Sequence, residues 1–133
     1  MYGAAAAYLL NSKGQLLIVK PNYRDYWHLP GGMIEAGESP VEACKRECLE
    51  ELGRRVSVSE LLCYEFRKAT PERRQVSQFV FRCTFLDDAP IVLQTSELDD
   101  YAFVEPGKAK EMLGERTVRR LSHLEIGSVY FET

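Results

Sequence analysis

Glu47, Glu50 and Glu51 stand close together in a stretch that otherwise reads as a helix. At about 100° per residue, positions i, i+3 and i+4 gather on one side of a helix. Like charges at those spacings repel one another. At ~6 Å and an effective dielectric near 20, each pair costs about 3 kcal/mol, an upper figure for exposed groups. A solvated acidic helix face is the plainer reading of such a set. The sharper reading is a divalent cation holding a pyrophosphate, because carboxylate oxygens are the ligands that Mg²⁺ and Mn²⁺ prefer.

The surrounding residues favour the sharper reading. Ser39, Pro40 and Glu42 mark a helix start, with a capping box and a proline at the first helical position. Gly53 marks its end, able to take the left-handed turn. Between them Val41, Cys44, Cys48 and Leu52 form one apolar stripe, with Lys45 and Glu42 opposite. Glu51 borders the stripe, so it should be half-buried. Just upstream, Trp27-His28-Leu29-Pro30-Gly31-Gly32 and then Gly37-Glu38 predict a loop whose backbone can approach a ligand or metal closely.

Gly32, five residues, Glu38, seven residues, Arg46-Glu47, Glu50-Glu51 and Gly53 together resemble the Nudix box of Nudix hydrolases. Cys48 and Arg54 depart from positions that are usually aliphatic. Buried cysteine packs as a small hydrophobe, and Val56 is expected to take over the packing lost at Arg54. The resemblance implies an α/β fold, an α/β/α sandwich with a mixed β-sheet between helices, and a single Nudix hydrolase domain over residues 1–133. It implies hydrolysis of a P–O–P linkage in a nucleoside diphosphate joined to another group X, by water attack on phosphorus with Mg²⁺ or Mn²⁺ as cofactor. It assigns metal binding to Glu47, Glu50, Glu51 and the carbonyl of Gly32. Arg46 orients a glutamate, and Glu38 is structural or second in line behind the ligands. The general base is left open between Glu47, Glu50 and a late-loop acid. Of the loop acids Glu97 is preferred, with Asp99 and Asp100 in reserve.

Other residues suggest substrate contacts. Arg67, Lys68, Arg73 and Arg74 fall between two strands, and Arg67 and Arg73 are candidates for the distal phosphate or the X group. Tyr23, Tyr26 and Trp27 precede the box, and Trp27 is a candidate to stack on a base. Arg116, Arg119 and Arg120 read as an exposed helix face, His28 as structural and His123 as surface. Nucleoside triphosphate, ADP-ribose and nucleotide-sugar substrates all stay open. Pro71 lies one residue from the place where a proline would mark the ADP-ribose branch. A non-catalytic nucleotide-binding or sensor domain is the alternative, although a sensor has no need of the full set Arg46, Glu47, Glu50 and Glu51.

The elements that must position these groups follow from pattern. Ala4–Leu10 and Gln15–Lys20 flank the turn signal Asn11-Ser12-Lys13-Gly14 and predict a hairpin. Arg55–Phe66, Val76–Phe85 and Tyr101–Val104 predict strands, and Glu115–Leu124 an amphipathic helix. A chain of 133 residues suits one compact domain. Its net charge of −3 argues against a nucleic-acid polymer as ligand. Cys44, Cys48, Cys63 and Cys83 show no Cys-x-x-Cys spacing. With no export signal and no membrane-length apolar run, they lead to the expectation of a cytoplasmic protein, monomer or homodimer, acting on a small nucleotide away from membranes.

Overall fold

The computed structural model describes residues 2–133. In chain order its elements are β1 (Tyr2–Leu9), β2 (Leu16–Pro21), β3 (Gly31–Met33), α1 (Pro40–Leu52), β4 (Val56–Arg67), β5 (Val76–Phe85), β6 (Leu98–Val104), α2 (Pro106–Met112), α3 (Glu115–Glu125) and β7 (Tyr130–Glu132). Five strands form one sheet in the order β3-β1-β5-β4-β7, and β2 pairs with β6 in a second. The large sheet is mixed: β1–β5 and β4–β7 run parallel, β1–β3 and β4–β5 antiparallel. This is the α/β arrangement of a sheet between helices that the sequence predicts.

Each face of the sheet carries its own core. On one face α1 seats Ala43, Cys44, Cys48 and Leu52 against Ala5, Ala7, Leu9, Phe81 and Cys83. On the other, Ala109, Leu113 and Leu121 of the α2–α3 region meet Val80, Cys63 and Phe131. The strand β2 serves both: Leu17 and Val19 join the first core, Leu16 and Ile18 the second. A continuous apolar run is the signature of a strand covered on both sides.

That double cover overturns the predicted hairpin. The turn forms, with Asn11 N–H donating to the Gln15 carbonyl at 2.9 Å. After a single Leu10–Leu16 bridge the strands part. Strand β1 enters the large sheet, while β2 pairs antiparallel with β6. A turn signal specifies a reversal of the chain; which strand each arm then pairs with is decided by the apolar surfaces needing cover.

Helix α1 keeps its predicted bounds. Ser39 Oγ accepts from Glu42 N–H at 3.1 Å while Glu42 Oε1 accepts from Ser39 N–H at 2.8 Å, a complete capping box. Gly53 ends the helix in the left-handed region at φ +64°, its N–H bonded to the Leu49 carbonyl at 3.0 Å. Arg54 is buried rather than displaced. It is 8% exposed, its guanidinium lies 3.9 Å from the Phe85 ring centre, and Val56 is buried in the first core at 3% exposure. Three elements are absent from the sequence reading: the short helix α2 and the edge strands β3 and β7.

Gly31 and Gly32 are therefore strand rather than loop, held against Ala6 and Ala5 of β1. At Gly31, with φ +155°, a Cβ would stand 2.3 Å from the Ala5 carbonyl oxygen and 2.7 Å from Ala6 Cα. Both are backbone atoms that cannot swing aside. Gly31→Ala is expected to destabilise the fold by roughly 2 kcal/mol or more. Gly107→Ala, where a Cβ meets nothing within 4 Å, should be neutral or stabilising by up to about 1 kcal/mol. Urea denaturation of the two variants checks the contrast, and equal stabilities would contradict the close strand approach.

Candidate active site

The close approach of β3 to β1 brings the edge strand over the C-terminal half of α1, and there the acids meet. Glu51 Oε2 accepts a hydrogen bond from Gly31 N–H at 3.1 Å. The residue is 5% exposed, more deeply buried than its place beside the apolar stripe predicts. Glu47 lies next to Gly32, where a Cβ would come within 2.5 Å of Glu47 Oε1. A side chain at Gly32 would push the Glu47 carboxylate away from the strand backbone.

Arg46 ties the acids together. Its Nε and Nη2 grip both oxygens of Glu38, at 2.7 and 3.1 Å. Nη1 reaches Glu47 Oε1 at 3.0 Å and Glu50 Oε2 at 3.2 Å, and Nη2 also donates to the Met33 carbonyl at 2.9 Å. One planar fork thus spans helix, strand and loop, a task for which arginine's rigid donors suit better than a lysine's point charge. Arg46 and the Glu35 N–H hold the Glu38 carboxyl below its usual range, while Glu38 and Glu47 hold Arg46 all the more firmly charged.

Glu51 behaves differently. Burial, then the hydrogen bond and the charge shared with Glu47, push its pKa up to about 9, and Glu97 adds to the rise. Glu97 is exposed in the turn before β6. Its loop is pinned to α1 by the Gln94 N–H bonded to the Glu51 carbonyl at 2.9 Å. Two carboxyl groups in contact at a site that removes water are the donor set of a hard divalent cation, and a cation would reverse the shift by favouring the charged forms. Among the described residues no three ligating side chains converge as they stand; Glu47 and Glu50 are turned onto Arg46.

Gly31 and Gly32 also border a cleft of about 580 Å³ on the far face of the sheet, whose lining includes none of Glu47, Glu50, Glu51 and Glu97. Ala4, Ala6, Gln78 and Val80 line it together with Arg24, Tyr26, His28, Gly114–Thr117 and Arg120, and the Tyr26 ring lies against Gly114. Burial, and then Arg24, Arg120 and Lys20, hold His28 toward its neutral form. Trp27 does not line the cleft. It packs half-buried in the second core, its N–H on the Met112 carbonyl at 2.9 Å, so the rings offered to a ligand are those of Tyr26 and His28.

Arg67 and Arg73 are outside the cleft lining. Arg73 Nε donates to the Lys68 carbonyl at 3.1 Å, and Arg67 Nε is buried without a partner. Arg120, expected on an exposed face, is instead half-buried, with Nε 2.7 Å from Oε1 of Glu65. Glu65 is 3% exposed and also accepts from Thr133 Oγ1 at 2.6 Å. A charged residue two positions after Cys63 on the inward face of a strand was the signal in the sequence for that buried pair.

The raised pKa of Glu51 fixes a sign for stability. Unfolded, its carboxyl titrates near the ordinary 4.5; folded, it keeps its proton up to about pH 9. The folded state therefore binds the extra proton between those values, and the contribution, full below 4.5, is lost as pH rises through about 9. Metal-free protein should lose stability relative to Glu51→Gln as pH climbs across this window, read as the difference in Tm at each pH. Parallel curves would show an ordinary, solvated carboxyl.

Comparison with known proteins gives the family. The family model of the NUDIX domain matches residues 2–124. A MutT-like protein of Streptomyces ambofaciens is 30% identical over 118 residues, covering 89% of this chain and 73% of that protein. An uncharacterised Nudix hydrolase of Pseudomonas aeruginosa is 34% identical over 109 residues, 77% of this chain but only 62% of that one. The crystal structure of a MutT protein from Methanosarcina mazei superposes with a TM-score of 0.77 at 23% identity, over 93% of this chain and 92% of that one. With an intact Nudix box folded into one acidic cluster and a family match over nearly its whole length, this chain belongs to the Nudix hydrolases.

Proposed function

We propose that this hydrolase is a divalent-metal-dependent pyrophosphohydrolase, cleaving a P–O–P linkage in a nucleoside diphosphate joined to a second group, within one domain over residues 1–133. The observation that carries the reading is the buried Glu51 carboxyl, in contact with Glu47 at the glycine edge where the cleft opens. Two such groups destabilise the metal-free protein unless one stays protonated. Glu47, Glu50, Glu51 and the Gly32 carbonyl would hold Mg²⁺ or Mn²⁺. A cation there supplies neutralisation of the pyrophosphate's charge and a more acidic bound water.

The chain's own residues do the remaining work. Arg46, fixed by Glu38, positions Glu47 and Glu50. Glu97, whose loop is tied to α1 at Glu51, is our candidate to take a proton from the attacking water, with Glu50 as the other candidate base. The floor of alanines leaves room for the substrate beyond the linkage, and Tyr26 offers a ring to a base. Four unpaired cysteines suit a reducing compartment, and we place the protein in the cytoplasm.

Activity should disappear with a chelator and return with Mg²⁺ or Mn²⁺; full turnover in excess chelator would refute the metal assignment. Glu50→Gln and Glu51→Gln keep shape and remove charge, and each should lower kcat by about 10²-fold or more. In ¹⁸O-labelled water one label should appear on a phosphoryl product. Label on a carbon-bound hydroxyl alone would mean C–O cleavage and a different chemistry.

A further inference from the structure

The cleft carries a charge pattern that a neutral base and sugar do not call for. Arg24, Arg116 and Arg120 line it, set against Glu115. Arg120 is tied to the buried Glu65, and Arg67 stands behind it with a buried Nε that has no hydrogen-bond partner. Arg116, Arg120 and Arg73 all lie close enough to Arg67 to weaken its hold on its proton, adding to the effect of burial, with Glu65 as the opposing charge. A chain whose net charge is −3 has thus gathered cations around one buried carboxylate at one end of a cleft. An anion there would relieve the crowding, and arginine forks match phosphate oxygens in geometry as well as charge.

The sheet says where that end lies. The register runs Gly32–Ala5 and Met33–Ala4 from β3 to β1, then Ala4–Gln78 to β5 and Gln78–Glu65 to β4. Three strand-to-strand steps of about 4.8 Å set Glu65 and its arginine roughly 14 Å from the acidic edge. A pyrophosphate is far shorter than that, whereas a nucleoside is of that order. The arginines are therefore spaced to meet a group lying beyond the sugar rather than the linkage being cleaved.

We propose that the substrate carries a second phosphate, esterified to the part of the molecule that fills the cleft, and that Arg116 and Arg120 bind it, with Arg67 adding positive charge from behind the lining. This rests on the hydrolase reading for which end of the cleft holds the pyrophosphate. It names the class of substrate: a diphosphate whose far portion is itself a phosphate monoester. Arg120 keeps Glu65 as the partner that aims it.

The test uses probes without a P–O–P bond, so that it does not depend on turnover. Calorimetric titration compares adenosine 5′-monophosphate with adenosine 2′,5′- and 3′,5′-bisphosphate at one ionic strength with Mg²⁺ present. At least one bisphosphate should bind about tenfold tighter or more than the monophosphate, the gain expected from one charge-assisted pair. Arg116→Gln, which removes an arginine of the lining, should pull that ratio toward one. Arg119→Gln, on the exposed side of the same helix, should leave it in place and so controls for net charge. Ratios within about twofold for both bisphosphates, or an equal loss in Arg119→Gln, would overturn the proposal. A preserved preference in a protein that cleaves no P–O–P bond would overturn the hydrolase reading instead.

Discussion

The structure turns on a carboxyl group that has been taken out of water. Glu51 sits at the boundary between the first core and the edge strand, one oxygen on the Gly31 N–H and its charge in contention with Glu47. A buried carboxylate is tolerated only when it is paired, hydrogen-bonded or neutral. Here the backbone of β3 supplies one hydrogen bond, Arg46 draws Glu47 and Glu50 toward itself, and the residual conflict raises the Glu51 pKa. The helix register, the glycines of β3 and the bidentate Arg46–Glu38 pair all serve to hold that conflict in one place.

Small side chains on β1 make the arrangement possible on both faces of the sheet. Ala5 and Ala7 are fully buried beneath Ala43 and Cys44, so α1 lies close to the sheet and its acids reach the edge strand. Ala4 and Ala6, pointing the other way, leave the floor of the cleft low. Larger residues at the first pair would lift the helix and separate Glu51 from Gly31; at the second pair they would fill the cleft. The alanine run is thus a packing requirement of site and cleft together, rather than a statement of helix propensity.

Electrostatically the molecule is divided across its sheet. Acids gather at the β3 edge, and arginines gather about Glu65 near the opposite end of the same cleft. Arg46 offsets part of the first cluster and Glu65 part of the second, and neither is neutral by itself. Fields of opposite sign at the two ends of one cleft orient a ligand before contact is made. A cation at one end and anionic groups along the ligand would complete the balance.

Much of the site was legible in the sequence because it is local. Helix α1 is fixed by Ser39, Pro40, Glu42 and Gly53, and helical periodicity alone puts Glu47, Glu50 and Glu51 on one side and Cys44, Cys48 and Leu52 on another. Strands β4 and β5 were legible from β-branched and aromatic runs. What the sequence could not determine is every feature set by partners distant along the chain. The parting of β1 from β2, the recruitment of Gly31–Gly32 as an edge strand, the turning of Trp27 into the core and the pairing of Glu65 with Arg120 each depend on which surfaces meet. Periodicity determines the side of an element a residue occupies; only tertiary packing decides what covers that side, and hence which charges lose their water and must find one another.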